Sequence, residues 1–167
     1  MAAAAAAIAM PAAASVGTQV VAPAKNANGK ALVLIPLTLT KIDDLDFGTI
    51  IPSATSGFVT INATSGARTF GGGVSGAASA LGHRAYFGGA GTPNQTVIIT
   101  IDPPTDLTSL AGDTIPVLAL TLDGSAIKTI NPTTRAYFFG VGGVLSIGAD
   151  QPEGLYSATF TVNANYL

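Results

Sequence analysis

The chain has 167 residues, a formal net charge of −2, 48% hydrophobic and 10% charged residues, one histidine and no cysteine. That length suits one domain with a real core. Charged residues are far scarcer than the roughly one quarter of an ordinary soluble domain, so Thr, Ser, Asn and Gly must cover most of the surface. The seven basic residues, scattered from Lys25 to Arg135, form no patch, which excludes the electrostatic footprint of nucleic-acid binding. Without cysteine there is neither a disulfide scaffold nor a thiolate metal site.

Residues 1–14 read MAAAAAAIAMPAAA, an apolar run ending in small residues. Ala12 and Ala14 sit at the spacing a signal peptidase reads, which would leave Ser15 as the mature N-terminus. The basic n-region is missing, so either the true start lies upstream of Met1 or the segment is a disordered Ala-rich tail. The run is too short to span a membrane. Read as a signal remnant, it implies secretion through the periplasm to the cell surface. Residues 15–24 then place Val16, Thr18, Val20, Ala22 and Ala24 on alternate positions, a weak strand period. Residues 25–30 (KNANGK) are a polar linker. The expected organisation is a signal remnant over 1–14, an extension and linker over 15–30, and a β-domain over 31–167.

Residues 32–42 form a β-rich run interrupted by Pro36, as on an edge strand or one bending between sheets. Short strands are expected over 58–62, 84–87 and 96–101. Residues 114–122 are apolar on both faces, as a central strand would be. Asp123-Gly124 signals a tight hairpin into residues 126–130. Two further strands are expected over 135–139 and 142–149. The Gly/Ala/Ser-rich stretch 70–91 reads as a long mobile loop around the strand at Arg84. From Tyr156 to Tyr166 the even positions are Tyr156, Ala158, Phe160, Val162, Ala164 and Tyr166, while the odd ones are Ser, Thr and Asn. This alternation predicts one unbroken strand with a buried face and a wet one. No stretch has convincing helical periodicity. About eight short strands with Gly/Pro turns predict an all-β protein, most naturally a β-sandwich.

Little here supports catalysis. His83 would have to serve any Ser–His–Asp arrangement, and it sits in the Gly-rich loop, where an exposed histidine is the plainer reading. Gly71, Gly73 and Gly76 match G-x-G-x-x-G, but no long helix follows and the next acidic residue is Asp102. Asp43, Asp44 and Asp46 form the only acidic cluster; they lack calcium-loop spacing and read as turn residues. Asn62 and Asn94 open formal glycosylation sequons of little weight in a bacterial-looking chain. The clusters Tyr86-Phe87 and Tyr137-Phe138-Phe139 either fill a core or form a sugar-binding platform. No cofactor or metal is expected, and no enzyme activity.

Three segments carry a resemblance. Residues 44–50 (DLDFGTI) contain an L-x-F-G opening, residues 141–145 (VGGVL) a v-G-G-t-L strand, and residues 151–162 (QPEGLYSATFTV) a closing P-G-x-Y-x-G-x-F-x-V pattern. Together they resemble the secreted bacterial domain of unknown function 4402 family over roughly residues 32–167. Ala158 stands where a small Gly is common, and Asn163 and Asn165 make the last strand more polar than usual. The closing pattern is also similar to the spore coat protein U group, the pilins of archaic chaperone–usher fibres. Those are immunoglobulin-like sandwiches lacking a last strand, which the N-terminal segment of the next subunit supplies.

That resemblance implies a fibre subunit with no catalytic role. Its partners would be identical subunits, a periplasmic chaperone and an outer-membrane usher. The donor strand would carry Val16, Thr18, Val20, Ala22 and Ala24. The acceptor groove and core would include Tyr156, Phe160, Val162 and Tyr166. The residue pattern is compatible: the strongest strand is the last one, its edge is expected to stay free unless an earlier segment pairs with it, and an exposed apolar edge associates. The alternative is a monomeric secreted sandwich that binds glycans or a protein partner, with aromatics such as Tyr86 and Tyr137 exposed.

Overall fold

The computed structural model describes residues 25–167. Residues 25–32 are exposed and carry no regular secondary structure. A compact unit spans Val33–Leu167. Its strands are β1 (Thr40–Asp43), β2 (Ile50–Ile51), β3 (Gly57–Ile61), β4 (Arg68–Gly72), β5 (Ser75–Gly76), β6 (Ala85–Ala90), β7 (Thr96–Asp102), β8 (Asp106–Ser109), β9 (Thr114–Leu122), β10 (Ile127–Thr129), β11 (Ala136–Ile147), β12 (Tyr156–Ser157) and β13 (Thr161–Tyr166). No helix occurs among the described residues. The protein is all-β and sandwich-like, and every strand pair is antiparallel.

The larger sheet has the order β1-β6-β11-β9-β8-β12, with β3 attached to β11 and β4 to β3. β11 is its spine. Its first half, from Ala136 to Val141, pairs with β6, and Gly143 to Ile147 pair with β3 on the same side. β9 takes the opposite side. The odd residues of β11 point inward: Tyr137, Phe139, Val141, Leu145 and Ile147 are all buried. The sequence suggested two strands here because Gly140, Gly142 and Gly143 look like an interruption. Instead they permit close approach. A Cβ on Gly142 would collide with the carbonyl oxygen of Ile61, so the spine needs glycine beside β3.

The second sheet, β10-β7-β13, covers only the first half of the spine. Val97 and Ile99 from β7 join Ala85, Phe87, Ile130 and the first three inward residues of β11 in one cluster. The second half of the spine belongs to another cluster with Phe47, Val59, Ile61, Val74 and Ile115. There the covering layer is not a strand of the second sheet but the irregular segment 45–50 on one side and Tyr156 on the other.

Four sequence expectations are corrected. Of the run expected over 32–42 only its end is strand, where β1 (Thr40–Asp43) begins. Pro36 has no N–H for a ladder, and the run is instead pinned piecemeal: the Ile35 N–H donates to Thr92 Oγ1 at 2.7 Å and the Thr38 N–H to the Ala90 carbonyl at 2.9 Å. Asp123-Gly124 does turn the chain, with Gly124 at φ +88°. It makes no hairpin, because β9 stays in the larger sheet while β10 pairs with β7 in the other. Lys128 secures this crossing by holding the Asp123 carboxylate at 2.8 Å and its carbonyl at 2.9 Å.

The stretch 70–91 is not one loop. β4 runs into it, and Gly71 is recruited to the strand because the Phe58 ring lies over it. Finally, the strand expected from Tyr156 to Tyr166 is broken at residues 158–160. Its first part, β12, pairs with β8 in the larger sheet, and its second part, β13, pairs with β7 in the smaller one. The burial rhythm persists across the break: Tyr156, Phe160, Val162, Ala164 and Tyr166 are partly buried, but Ala158 is exposed. A single polar/apolar alternation therefore served two sheets in succession.

Candidate functional site: an apolar groove beside a free strand edge

Where the second sheet ends, a groove of about 570 Å³ remains open. Its floor is core: Ile115 and Val117 of β9 with Leu145 and Ile147 of β11. One wall is the segment 45–50, and the other runs from Gln151 to Phe160. The charged lining residues are Asp46 and Glu153, and both are exposed. The floor residues Ile115, Leu145 and Ile147 are buried, and the reachable apolar surface of the groove comes from half-buried Ile50, Leu107, Val117, Tyr156 and Phe160 and from exposed Leu155. Bare apolar surface forfeits roughly 25 cal/mol for each Å² that could be buried.

The 45–50 wall explains the L-x-F-G pattern. Leu45 and Phe47 pack toward the second cluster. Gly48 has φ +67° and no room for a Cβ, which would strike the Ala80 carbonyl. The Asp46 carboxylate accepts from the Gly48 N–H at 2.7 Å, so the turn role expected of this acidic cluster holds for Asp46. Asp46 and His83 exchange two backbone hydrogen bonds at 3.0 and 2.8 Å. Thr49 is tied to residues 77–80, and β2 pairs with β5.

The opposite wall is fixed by Tyr156 and Gln151. The Tyr156 hydroxyl donates to the Pro152 carbonyl at 2.7 Å and accepts from Gln151 Nε2 at 3.0 Å. Phe160 sits at the junction. It lines the groove and also meets the core ring of Phe87 edge-on at 6.4 Å.

Beyond Phe160 the wall continues into β13, which pairs with β7 alone. The Leu167 N–H donates to the Thr96 carbonyl on the β7 side at 3.0 Å. Antiparallel alternation then directs the odd residues of β13 toward β7 and turns the backbone groups of Val162, Ala164 and Tyr166 to the open edge. These meet no backbone partner among the described residues. An apolar groove thus lies in line with a row of free donors and acceptors, the two things an added strand needs.

Of the residues expected at an acceptor site, the structure places Tyr156 and Phe160 in the groove. Val162 and Tyr166 pack against the first cluster along the open-edged strand. The Tyr166 hydroxyl accepts from the Thr92 N–H at 2.8 Å and donates to the Ile35 carbonyl at 2.7 Å. The expected donor residues Val16, Thr18, Val20, Ala22 and Ala24 lie outside the described residues.

The other candidates fall in ordinary surroundings. His83 is exposed, with its ring Nδ1 3.3 Å from the Arg84 carbonyl oxygen. Gly71, Gly73 and Gly76 lie among β4, β5 and their turn. Asp44 pairs with Lys41 at 2.5 Å. Among the described residues, no group of three His, Cys, Asp or Glu side chains could hold a metal. Tyr137 does not form an exposed platform, because it is buried and its hydroxyl donates to the Thr38 carbonyl at 2.8 Å. Burial, with a smaller contribution from Tyr166, raises its pKa above that of free tyrosine. Tyr86 and Phe138 stack on the outer face with centroids 6.0 Å apart.

The 45–50 wall is what sequence reasoning missed. It was read as a turn plus a motif, and its long-range partner Arg68 carried no signal of its own. The short strand β8, whose Leu107 helps line the groove, was missed as well.

The class defined by this architecture is an all-β, sandwich-like domain with an apolar-lined groove beside its core. The chain belongs to the family described as Domain of unknown function (DUF4402), whose model matches residues 37–166. No curated protein and no solved structure matches it.

Proposed function

We propose that the protein is a structural subunit of an extracellular bacterial fibre, polymerised when residues 15–24 of one subunit enter the groove of the next. The observation that carries this reading is the groove itself, about 570 Å³ in volume, largely apolar in lining and in line with the open edge of β13. It takes the domain to be an immunoglobulin-like sandwich short of one strand. The resemblance to archaic chaperone–usher pilins supports it, as does the alternation of Val16, Thr18, Val20, Ala22 and Ala24.

The energetics are adequate. Fully burying two valines contributes roughly 3–6 kcal/mol. A backbone ladder along Val162, Ala164 and Tyr166 adds directionality. In this reading the protein has no catalytic role. It passes through the periplasm, where a chaperone would shield the groove and an usher would exchange that shield for the next subunit. The alternative of a monomeric glycan or protein binder draws support from the stacked Tyr86–Phe138 pair on the outer face. The groove's alignment with the open edge of β13 favours the fibre, because that edge suits an added strand.

Deleting residues 15–24 should abolish fibres in electron micrographs of the purified protein and leave labile monomers. Val20→Asp should do the same, since a charge in the groove has no partner, while a supplied wild-type peptide of residues 15–24 restores a stable domain. Normal fibres from the deletion variant would refute this reading.

A further inference from the structure

The groove keeps its shape only if the 45–50 wall, whose Phe47 is packed into the core cluster of Ile115 and Leu145, stays in place, and that wall belongs to neither large sheet. What holds it from behind is Arg68. This residue stands on β4, which is laddered to β3 and so fixed to the spine. Its Nη1 donates to the Phe47 carbonyl at 2.8 Å and to the Thr49 carbonyl at 3.2 Å, and its Nη2 donates to the Ala77 carbonyl at 3.1 Å. The guanidinium lies over the Phe70 ring, 4.8 Å from its centroid. Arg68 is in neither of the two ion pairs among the described residues. Its charge is spent on backbone carbonyls, and two of these belong to the wall. Nearby backbone is cut back to admit it: a Cβ on Gly48 or Gly76 would press on the guanidinium nitrogens.

We propose that Arg68 is the positioning residue of the groove, holding the Phe47 and Thr49 carbonyls so that the wall keeps the place from which Phe47 packs with Ile115 and Leu145 and leaves the groove open beside them. This rests on the reading of the groove as a strand acceptor. The physical reason is the asymmetry of lost hydrogen bonds. Without the guanidinium, the Phe47, Thr49 and Ala77 carbonyls lose this donor, and part-buried Phe47 and Ala77 must find water or another backbone group. The remaining ties of the wall are the two bonds between Asp46 and His83, the bonds of Thr49 with Ala77 and Ala80, and the two-residue ladder of β2 with β5. Phe47 is packed in the core cluster and Ile50 rests against it, so a released wall shifts along that surface and narrows the groove against the incoming strand. A lysine cannot substitute, because one ammonium does not span carbonyls on two segments as the planar fork does.

The test uses the full chain in its monomeric form and a fluorescent peptide of residues 15–24 supplied in trans. Peptide binding is read by anisotropy, and amide exchange is read by mass spectrometry. Arg68→Met, which keeps the stem over Phe70, should weaken peptide binding by about tenfold or more. It should raise exchange at residues 46–51 while leaving β7 and β13 as protected as in wild type. Arg68→Lys should fall between the two, and it decides by the same criteria if Arg68→Met does not fold. Wild-type affinity in these variants overturns the proposal. So does a rise in exchange spread equally over β7 and β13, which would make Arg68 a general stabiliser. If the wild-type chain itself takes up no peptide, the strand-acceptor reading fails, and this inference fails with it.

Discussion

Replacing Phe160 with alanine separates the domain's own stability from its capacity to accept a strand. Truncating a fully buried phenylalanine costs about 3–5 kcal/mol. Phe160 is only partly buried: one edge contacts Phe87 of the core, and another part of the ring lines the groove. In the free subunit, Phe160→Ala should therefore cost about half the full amount, roughly 1.5–2.5 kcal/mol by urea unfolding. The remainder should appear only when a strand covers the exposed part of the ring. At about 1.4 kcal/mol per tenfold, this weakens uptake of a peptide of residues 15–24 by about 10- to 70-fold. Urea midpoints with and without the peptide, beside direct anisotropy titrations, give both numbers on one variant. A cost of the full 3–5 kcal/mol in the free subunit with unchanged peptide affinity would refute the placement of Phe160 at the groove.

The open edge of β13 predicts a contrast between neighbours. Val162→Pro removes an outward N–H and should cost the free domain about 1 kcal/mol while slowing fibre growth at least about tenfold, whereas Asn163→Pro breaks the ladder to β7 and should cost about 2–3 kcal/mol. Comparing urea melts with growth curves by light scattering checks both, and equal effects at the two positions would refute the assigned alternation. Tyr137 sets an alkaline limit: burial favours its neutral phenol, so its contribution is fully present below the free-tyrosine pKa near 10 and is lost as pH rises through the elevated folded value. Tyr137→Phe should flatten that loss in unfolding midpoints above pH about 10, at a cost of about 1 kcal/mol near neutrality for the bond to Thr38. His83→Ala should leave fibre yield by electron microscopy and the urea midpoint within about 0.5 kcal/mol of wild type, because the ring is exposed.

Where one residue pattern answers to one neighbour, the sequence was readable. β3, β7 and β9 lie within about a residue of the expected strands because β-branched alternation and flanking turns act locally. The paired halves of β11 were legible as strands but not as one strand, since nothing local says that a glycine faces a crowding carbonyl. The C-terminal alternation gave the buried face from Tyr156 to Tyr166 but not the change of sheet at residues 158–160, because burial period and hydrogen-bond partner are independent. At the site, Tyr156 and Phe160 were legible from that same alternation. The 45–50 wall was not. Its form depends on Arg68 and on residues 77–83, contacts that no short-range spacing encodes.

The hydroxyl of Tyr166 has a kinetic consequence. Its bond to the Ile35 carbonyl joins residues 131 positions apart, so the two ends of the domain meet only after nearly the whole chain exists. β13 likewise completes the smaller sheet with the last residues of the domain. Loops of such length close slowly, and folding dominated by distant antiparallel pairings proceeds late rather than alongside synthesis. During that interval β7 has one side unpaired and the first core cluster lacks Phe160, Val162 and Tyr166. The nascent domain is therefore most prone to misassociation immediately before its final strand docks. A binder that occupied this edge early would act on the folding rate as much as on the finished structure.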